Sequence, residues 1–208
     1  MAGFVVIMGQ GRSGSTLLLR MLNAVPGVRI SGENGKAFDH LRAFVEKFRG
    51  ATAHHHTEFY RLAWQLPCTL DELTGKTARY VNDIYNPDNR YRLTGFKEIR
   101  YGWVYEDLVR DVDFLRELFP DLRIIFNTRA TADAVNSEFW KEKPEESRRI
   151  LEASRANFQR FHATHPDITY NVPFEEFHEG SRVLEGMFDF LEVEYSDGAH
   201  AELKRKLR

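Results

Sequence analysis

Near its N-terminus the chain places a short apolar run, a glycine-rich loop and a helical pattern in succession, and this order constrains the fold more than any other feature. Residues 4–8 are uninterrupted apolar side chains followed by glycine, which is typical of a strand buried on both faces of a parallel sheet. Residues 16–22 predict a helix that ends near Pro26. A strand, a loop and a helix in this order predict an α/β fold.

The remaining elements alternate in the same way along the chain. Further strands are predicted at residues 28–31, 92–99, 123–129 and 168–172. Helices are predicted at residues 104–119, 131–141, 145–164 and 176–191. Because strands that alternate with helices usually pair in parallel, we expect a central parallel sheet flanked by helices in a three-layer sandwich.

A helical pattern occupies the stretch from about residue 35 to residue 86. Within it, Thr69 and Glu72 have the spacing of a capping box in front of a helix that carries Val81 and Ile84. No repeat, low-complexity linker or break in composition divides the 208 residues. We therefore expect a single domain over residues 1–208, with a helical insert around 35–90.

Charge and composition exclude several kinds of partner. The formal net charge is −2 with 29% charged residues, so the field of the whole molecule gives no reason to expect nucleic acid or an anionic membrane surface. The apolar residues 3–8 have no basic segment before them and are too few to cross a bilayer, so we expect neither a signal peptide nor a membrane span. We therefore expect the protein to be cytoplasmic. The single Cys68 excludes an internal disulfide and is expected to pack in the core.

The glycine-rich loop at residues 9–16 has the context of a phosphate-binding loop, because it joins a predicted strand to a predicted helix. Gly9, Gly14 and Thr16 fit the nucleotide-triphosphatase pattern, but Ser15 stands where that pattern has lysine. No acidic residue follows the strand at 124–128, where a magnesium ligand is expected in such enzymes. The sequence therefore predicts a P-loop-type sheet whose loop holds an anion without magnesium, with Arg12 as its cation.

A second candidate anion site follows the other clearly buried strand. Arg129 stands at the end of that strand, and Ser137 stands eight residues later on the predicted helix 131–141. We expect the Ser137 hydroxyl to lie in the first two turns of that helix and to share an anion with Arg129. Because open α/β sheets bind ligands at the carboxyl ends of their strands, one nucleotide with two phosphate groups suits both sites.

Together the two sites resemble those of a known family. The segment Gly11, Arg12, Ser13, Gly14, Ser15 and Thr16 resembles the 5′-phosphosulfate loop of sulfotransferases that use 3′-phosphoadenosine 5′-phosphosulfate (PAPS). Arg129 with Ser137 resembles the 3′-phosphate motif of the same enzymes, and the likeness is greatest to the carbohydrate, tyrosylprotein and bacterial members, whose loop begins with arginine. The resemblance implies PAPS as sulfuryl donor, 3′-phosphoadenosine 5′-phosphate (PAP) as product and a hydroxyl acceptor, with carbohydrates among the candidates.

Sulfuryl transfer requires a base for the acceptor proton and fixed cations for the leaving phosphate. Glu33 follows the second predicted strand and matches the glutamate that tyrosylprotein sulfotransferases use as base; a helix-capping or surface carboxylate is the alternative. Lys97 lies inside an apolar strand, where a charge needs a partner, and is expected either to pair with Glu98 or Arg100 or to face the donor. In related enzymes a lysine after this strand assists the departure of the nucleotide, and Arg12 is the other candidate cation.

A run of histidines and two other functions bear on this interpretation. His54, His55 and His56 lack the companion spacing of a metal site, so we expect a solvated or substrate-side loop and no metal. A small-molecule kinase with a P-loop shares the same start but needs the loop lysine that Ser15 replaces. A non-catalytic nucleotide-binding protein keeps the loop and lacks the chemistry. The acceptor and the oligomeric state do not follow from the sequence.

Overall fold

A five-stranded parallel sheet forms the centre of the computed structural model, which describes residues 3–53, 69–137 and 140–207. In chain order its strands are β1 (Gly3–Gly9), β2 (Val28–Ser31), β3 (Leu93–Glu98), β4 (Leu122–Thr128) and β5 (Thr169–Pro173). They lie side by side in the order β2-β3-β1-β4-β5, and every neighbouring pair is parallel. The predicted α/β fold with a parallel sheet is confirmed, and each predicted strand is present within two residues of its expected bounds.

Helices cover both faces of the sheet. They are α1 (Ser15–Asn23), α2 (Ala37–Ala53), α3 (Leu70–Tyr85), α4 (Tyr105–Leu118), α5 (Thr131–Val135), α6 (Pro144–Thr164), α7 (Arg182–Phe190) and α8 (Asp197–Leu207). None of the helices in the described ranges has both the length and the apolarity that a membrane crossing requires. The capping box of Thr69 and Glu72 is confirmed at the start of α3.

The central strand β1 divides the core into two layers, because successive side chains of a strand point to opposite faces. Phe4, Val6 and Met8 pack among residues of α2, α3, α4 and α6. Val5 and Ile7 pack among residues of α1, α7 and α8. All five side chains are at most 1% exposed, so the apolar run at residues 4–8 is buried on both sides and the three-layer sandwich is confirmed.

Two predicted helices have other bounds in the structure. The helix expected at 131–141 ends at Val135, and the backbone turns so that the amides of Trp140 and Lys141 donate to the Ser137 carbonyl. The helix expected at 176–191 begins only at Arg182, because Ser181 caps it by accepting a hydrogen bond from the Leu184 amide. A short 3₁₀ turn, Phe174–Glu176, precedes it. Both changes lie beside the ends of β4 and β5, where the site is built.

Candidate functional site

A cavity of about 780 Å³ opens at the carboxyl ends of the central strands. Every predicted site residue lines it except Ser13 and Ser137. The predicted residues in its wall are Gly11, Arg12, Gly14, Ser15, Thr16, Glu33, Lys97 and Arg129. The fold therefore brings together side chains from the loop after β1, the loop after β2, the end of β3 and the end of β4, as expected for an open α/β sheet.

The loop between β1 and α1 is held in an unusual backbone conformation. Arg12 and Gly14 both have positive φ angles, 68° and 80°. Gly14 also packs under Phe174 and Phe177, and a Cβ at this position would lie 2.5 Å from the Phe174 ring. Only glycine therefore fits position 14, both for its φ angle and for the space available. A non-glycine residue at positive φ, such as Arg12, is strain of the kind that concentrates at ligand-binding loops.

Backbone amides without hydrogen-bond partners in the described part of the chain lie where this loop enters α1. Among the described residues, no carbonyl oxygen accepts a hydrogen bond from the amides of Gly14, Ser15 or Thr16. The first amides of a helix have no partner within the helix, and the helix dipole adds partial positive charge there. These residues fit an anionic group, and the exposed guanidinium of Arg12 adds a full positive charge beside them.

Ser13 supports the loop from inside the protein. Its side chain is fully buried, and its hydroxyl lies 2.6 Å from both the Gln10 carbonyl oxygen and Oδ1 of Asn127. Asn127, on β4, in turn donates to the Val172 carbonyl on β5 at 2.8 Å. Although Ser13 belongs to the segment that resembles a 5′-phosphosulfate loop, its hydroxyl therefore ties the loop to the sheet and does not line the cavity.

Gln10 and Trp140 brace the other side of the loop. The side chain of Gln10 is 2% exposed; its Nε2 donates to the Leu151 carbonyl at 2.5 Å and its Oε1 accepts from the Arg129 amide at 3.0 Å. Trp140 Nε1 donates to the Gly11 carbonyl at 2.9 Å. These contacts join the loop to β4 and α6, and the sequence did not indicate them because each spans more than 100 residues.

Arg129 lies against the loop with part of its hydrogen-bonding capacity unused. Its Nη1 donates to the Arg12 carbonyl at 3.2 Å, and its guanidinium lies 4.4 Å over the ring of Phe174. Its buried Nε has no partner among the residues described. A buried charged donor without a partner is costly, so an acceptor oxygen at this point stabilises it. Arg129 therefore fits an anion in the cavity.

Ser137 is not placed as the sequence predicted. Because α5 ends at Val135, Ser137 lies beyond the helix, and its hydroxyl donates to the Ala134 carbonyl at 2.7 Å. The expectation that it lies on a helix beside Arg129 is therefore wrong in its geometry. Donation from Ser137 to a ligand requires its O–H to turn away from the Ala134 carbonyl.

Glu33 and Lys97 form an ion pair at the opposite wall of the cavity. Lys97 Nζ donates to Glu33 Oε1 at 2.5 Å, and Nη1 of Arg100 lies 3.6 Å from the other carboxylate oxygen. The Lys97 side chain is 8% exposed and that of Glu33 is 33% exposed. The expected partners of Lys97, Glu98 or Arg100, are thus replaced by a carboxylate from the end of β2. The structure joins the predicted base and the predicted cation directly.

Glu98, whose side chain points to the opposite face of β3 from that of Lys97, fixes the backbone behind this wall of the cavity. Its fully buried carboxylate accepts hydrogen bonds from the amides of Lys36 at 3.2 Å and Ile99 at 2.9 Å and from Nη1 of Arg100 at 2.8 Å. One carboxylate thus fixes the turn after β3, the loop after β2 and the direction of the Arg100 side chain. No short-range pattern marks Glu98, because one of these partners is 62 residues away.

An ionic cluster around the buried Asp111 holds the loop that carries Glu33. Lys36, at φ 59°, places its Nζ 2.7 Å from Asp39 and 3.7 Å from Asp111 of α4. Arg42 Nε lies 3.2 Å from the other oxygen of Asp111. Burial, followed by the nearby charge of Asp39, raises the pKa of Asp111 to about 6.

Asp111→Asn should change the pH dependence of stability. The raised pKa means that the folded protein binds the Asp111 proton more tightly than the unfolded chain does. Stability is therefore lost as the pH rises from 3.8, the ordinary pKa of an aspartate, through about 6, its pKa in the folded protein. We therefore compare the free energies of unfolding of the two proteins. Their difference, unsubstituted protein minus variant, should fall by up to about 3 kcal/mol between about pH 4 and pH 7. Urea unfolding at several pH values measures this, with Asp113→Asn on the exposed side of α4 as control. A difference that does not vary with pH contradicts the expectation.

Within the described part of the chain, no group of three or more His, Cys, Asp or Glu side chains is arranged to hold a metal ion. Two sequence expectations bear on residues outside that part. The solvated loop expected at His54, His55 and His56 and the core packing expected for Cys68 both lie outside the described residues.

Comparison with known proteins identifies the family. The model of a family described as the sulfotransferase family matches residues 5–197. No curated protein sequence is significantly similar. The fold is similar to the sulfotransferase domain of the olefin synthase from Synechococcus PCC 7002, with 21% identity over 94% of this chain and 75% of that chain and a TM-score of 0.61. Sulfotransferase STF9 from Mycobacterium avium aligns at 12% identity over 99% of this chain and 68% of that chain, with a TM-score of 0.49. Sulfotransferase STF1 from Mycobacterium tuberculosis H37Rv aligns at 14% identity over 98% of this chain and 71% of that chain, also with a TM-score of 0.49. With its parallel α/β sheet and a family match over nearly its whole length, the chain belongs to the sulfotransferase family.

Proposed function

We propose that the protein transfers a sulfuryl group from PAPS to a hydroxyl group of an acceptor. One observation carries the proposal: a single cavity combines free amides at the start of α1 with the buried, unpartnered Nε of Arg129. Two separate sets of anion-binding groups in one cavity suit a nucleotide with phosphate groups at both its 5′ and 3′ positions.

In this proposal the loop and Arg129 hold the donor. The amides of Gly14, Ser15 and Thr16 and the guanidinium of Arg12 bind the 5′-phosphosulfate. Arg129 binds the 3′-phosphate, with its guanidinium already oriented by Phe174 and the Arg12 carbonyl. Ser137 is proposed as a second ligand of that phosphate, once its hydroxyl rotates away from Ala134.

Glu33 and Lys97 are proposed to carry the chemistry. In sulfuryl transfer a sulfur–oxygen bond to the nucleotide phosphate breaks while one to the acceptor oxygen forms, and the acceptor proton must leave. We propose that Glu33 accepts that proton and that Lys97, with Arg12, neutralises the charge that develops on the leaving phosphate. The 2.5 Å ion pair orients both side chains toward the cavity before substrates bind.

Calorimetric titration with PAP, and in parallel with ATP plus magnesium, tests the donor. We expect PAP to bind one-to-one and tightly without magnesium, because Ser15 replaces the lysine that a triphosphate loop uses. Preference for ATP with magnesium would instead favour the small-molecule kinase. Binding of PAP without turnover of any acceptor would favour a non-catalytic nucleotide-binding protein.

Arg129→Ala should separate the two phosphate sites. We expect PAP affinity to fall by about 100-fold, as is typical when a charged partner of a phosphate is removed, and affinity for adenosine 5′-phosphosulfate, which lacks the 3′-phosphate, to change less than about threefold. Calorimetry with both nucleotides measures this. Arg123→Ala, at the other end of β4, is the matched control and should alter neither affinity. Equal losses for the two nucleotides would show that Arg129 does not bind the 3′-phosphate.

Three further expectations belong to the proposal. The chain is proposed to act as one domain over residues 1–208, with α2 and α3 forming the helical insert between β2 and β3. A cytoplasmic location and a small-molecule or glycan acceptor, without nucleic acid, stay predictions. None of them changes the roles proposed for the cavity residues.

A further inference from the structure

The wall of the cavity around Glu33 bears on the identity of the acceptor, and this link rests on the proposed function. We call this the acceptor wall and define it by Glu33, Lys97, Ile99, Arg100 and Trp103, which all line the cavity. If Glu33 takes the proton of the acceptor hydroxyl, the rest of the acceptor must lie against this wall. Its chemistry therefore selects the acceptor.

The charges of the acceptor wall are balanced. Lys97 is paired with Glu33 at 2.5 Å, and Arg100 is paired with the buried Glu98 at 2.8 Å. The donor side differs, since neither Arg12 nor Arg129 has a carboxylate partner in the described part of the chain. Excess positive charge thus lies where the donor is proposed to bind, and not where the acceptor is.

An anionic acceptor meets an unfavourable field at this wall. The Glu33 side chain is 33% exposed and lines the cavity, so its carboxylate repels a second negative charge brought beside it. The nearest cations offer little compensation, because each already has a carboxylate at ion-pair distance. Once Lys97 turns to the leaving phosphate, the carboxylate of Glu33 repels an anion more strongly. The balance of charge favours an uncharged acceptor.

Trp103 gives the acceptor wall a flat apolar surface. Its side chain is among the large exposed hydrophobic groups of the described residues, at 44% exposure. The backbone that presents it is fixed, because Asn157 on α6 donates to the carbonyl of the preceding Gly102 at 2.8 Å. A large exposed ring on a fixed backbone in the wall of a cavity suits stacking against the face of another ring.

We propose that the acceptor is an uncharged hydroxyl compound whose ring packs on Trp103 while its hydroxyl reaches Glu33. Both an aromatic ring and the C–H face of a neutral sugar have the required chemistry. Trp103 is thus a specificity-determining residue, and the balanced pairs of Lys97 and Arg100 exclude acceptors that carry a carboxylate, sulfate or phosphate group near the reacting hydroxyl.

Two matched pairs of acceptors test the charge preference with radiolabelled PAPS. The aromatic pair is 4-hydroxybenzyl alcohol and 4-hydroxybenzoate; the sugar pair is methyl β-glucoside and methyl β-glucuronide. At least one neutral member should be labelled at about tenfold or more the rate of its anionic counterpart, and the pair that responds identifies the kind of ring. Equal labelling, preference for an anionic member, or no labelling of either neutral member overturns the proposal.

Substitution of Trp103 tests its role in the same assay. Trp103→Ala should lower kcat/KM by about tenfold, mainly through KM, whereas Trp103→Phe should stay within about threefold of the unsubstituted protein. Tyr80→Ala, on the exposed face of α3 and outside the cavity, is the control and should leave kcat/KM unchanged. A loss for Trp103→Phe as large as that for Trp103→Ala, or no loss for either, overturns the role of the ring.

PAP calorimetry distinguishes failure of this inference from failure of the proposed function. If PAP does not bind, the donor assignment is wrong. If PAP binds to the protein and to both Trp103 variants with equal affinity but the charge preference is absent, only the inference about the acceptor fails.

Discussion

Glu33→Gln should lower the turnover number for sulfuryl transfer by about 10³-fold while PAP affinity stays within about twofold of that of the unsubstituted protein. An amide of the same size keeps the shape of the cavity but cannot take the acceptor proton. A positioned general base typically contributes about 10² to 10⁴-fold to a rate, which sets the expected size of the loss. Single-turnover kinetics with saturating donor and calorimetry with PAP measure the two quantities.

The ion pair of Glu33 with Lys97 means that two other results of this experiment would also be interpretable. Because its carboxylate pairs with Lys97 at 2.5 Å, the substitution also tests whether Glu33 holds that cation in place for the donor. A large loss of PAP affinity would therefore assign Glu33 a role in positioning Lys97, and an unchanged turnover number would contradict its role as base. Glu106→Gln, on the exposed first turn of α4, is the matched control and should leave both quantities unchanged.

Gly95→Ala should destabilise the protein severely, with a loss of more than about 4 kcal/mol in the free energy of unfolding or no urea transition at all. Gly95 lies in β3 directly beside Val5 of β1, and a Cβ placed on it would lie 1.7 Å from the Val5 carbonyl oxygen. Both positions belong to paired central strands, so neither backbone can move away without breaking the ladder that carries Lys97 to the cavity. Close approach of two backbones requires glycine here.

Gly75→Ala is the matched control for this substitution. Gly75 lies inside α3 on the exposed surface, with no atom within 4 Å of an added Cβ, so the same change should raise the free energy of unfolding by about 0.5–1 kcal/mol. Urea unfolding of both variants measures the contrast. A Gly95→Ala protein as stable as the unsubstituted one would contradict the close packing of β1 and β3.

Much of the fold follows from local patterns in the sequence. The apolar run at residues 4–8, the glycine loop and the following helical pattern predicted β1, the turn and α1, because burial on both faces of a strand requires continuous apolar side chains. The capping box predicted the start of α3 for a similar reason, since its two hydrogen bonds join residues three apart. The missing lysine at Ser15 likewise separated the loop from that of the triphosphatases.

Contacts between distant segments escaped prediction. The helix after β4 is shorter than its pattern suggests, because the chain turns inward and places the Trp140 indole on the Gly11 carbonyl. Lys97 was expected to pair with a neighbour in sequence, and it pairs with Glu33, 64 residues away, because β2 and β3 lie side by side. Ser13 belongs to the predicted phosphosulfate loop, but its buried hydroxyl contacts Asn127 of β4, 114 residues away.

The class of fold, the position of the glycine-rich loop and the chemical types of the candidate groups follow from local sequence, because strands, helix caps and glycine turns depend on residues only a few positions apart. Which charges meet depends on the folded chain, since Glu33, Lys97 and Arg129 come from different strand ends and their distances depend on strand order and register. The paired charges of the acceptor wall and the lack of a partner for the Nε of Arg129 among the described residues both arise from those distances. Charge–charge and hydrogen-bond energies depend on separations of a few ångströms, which the folded chain fixes and local sequence does not.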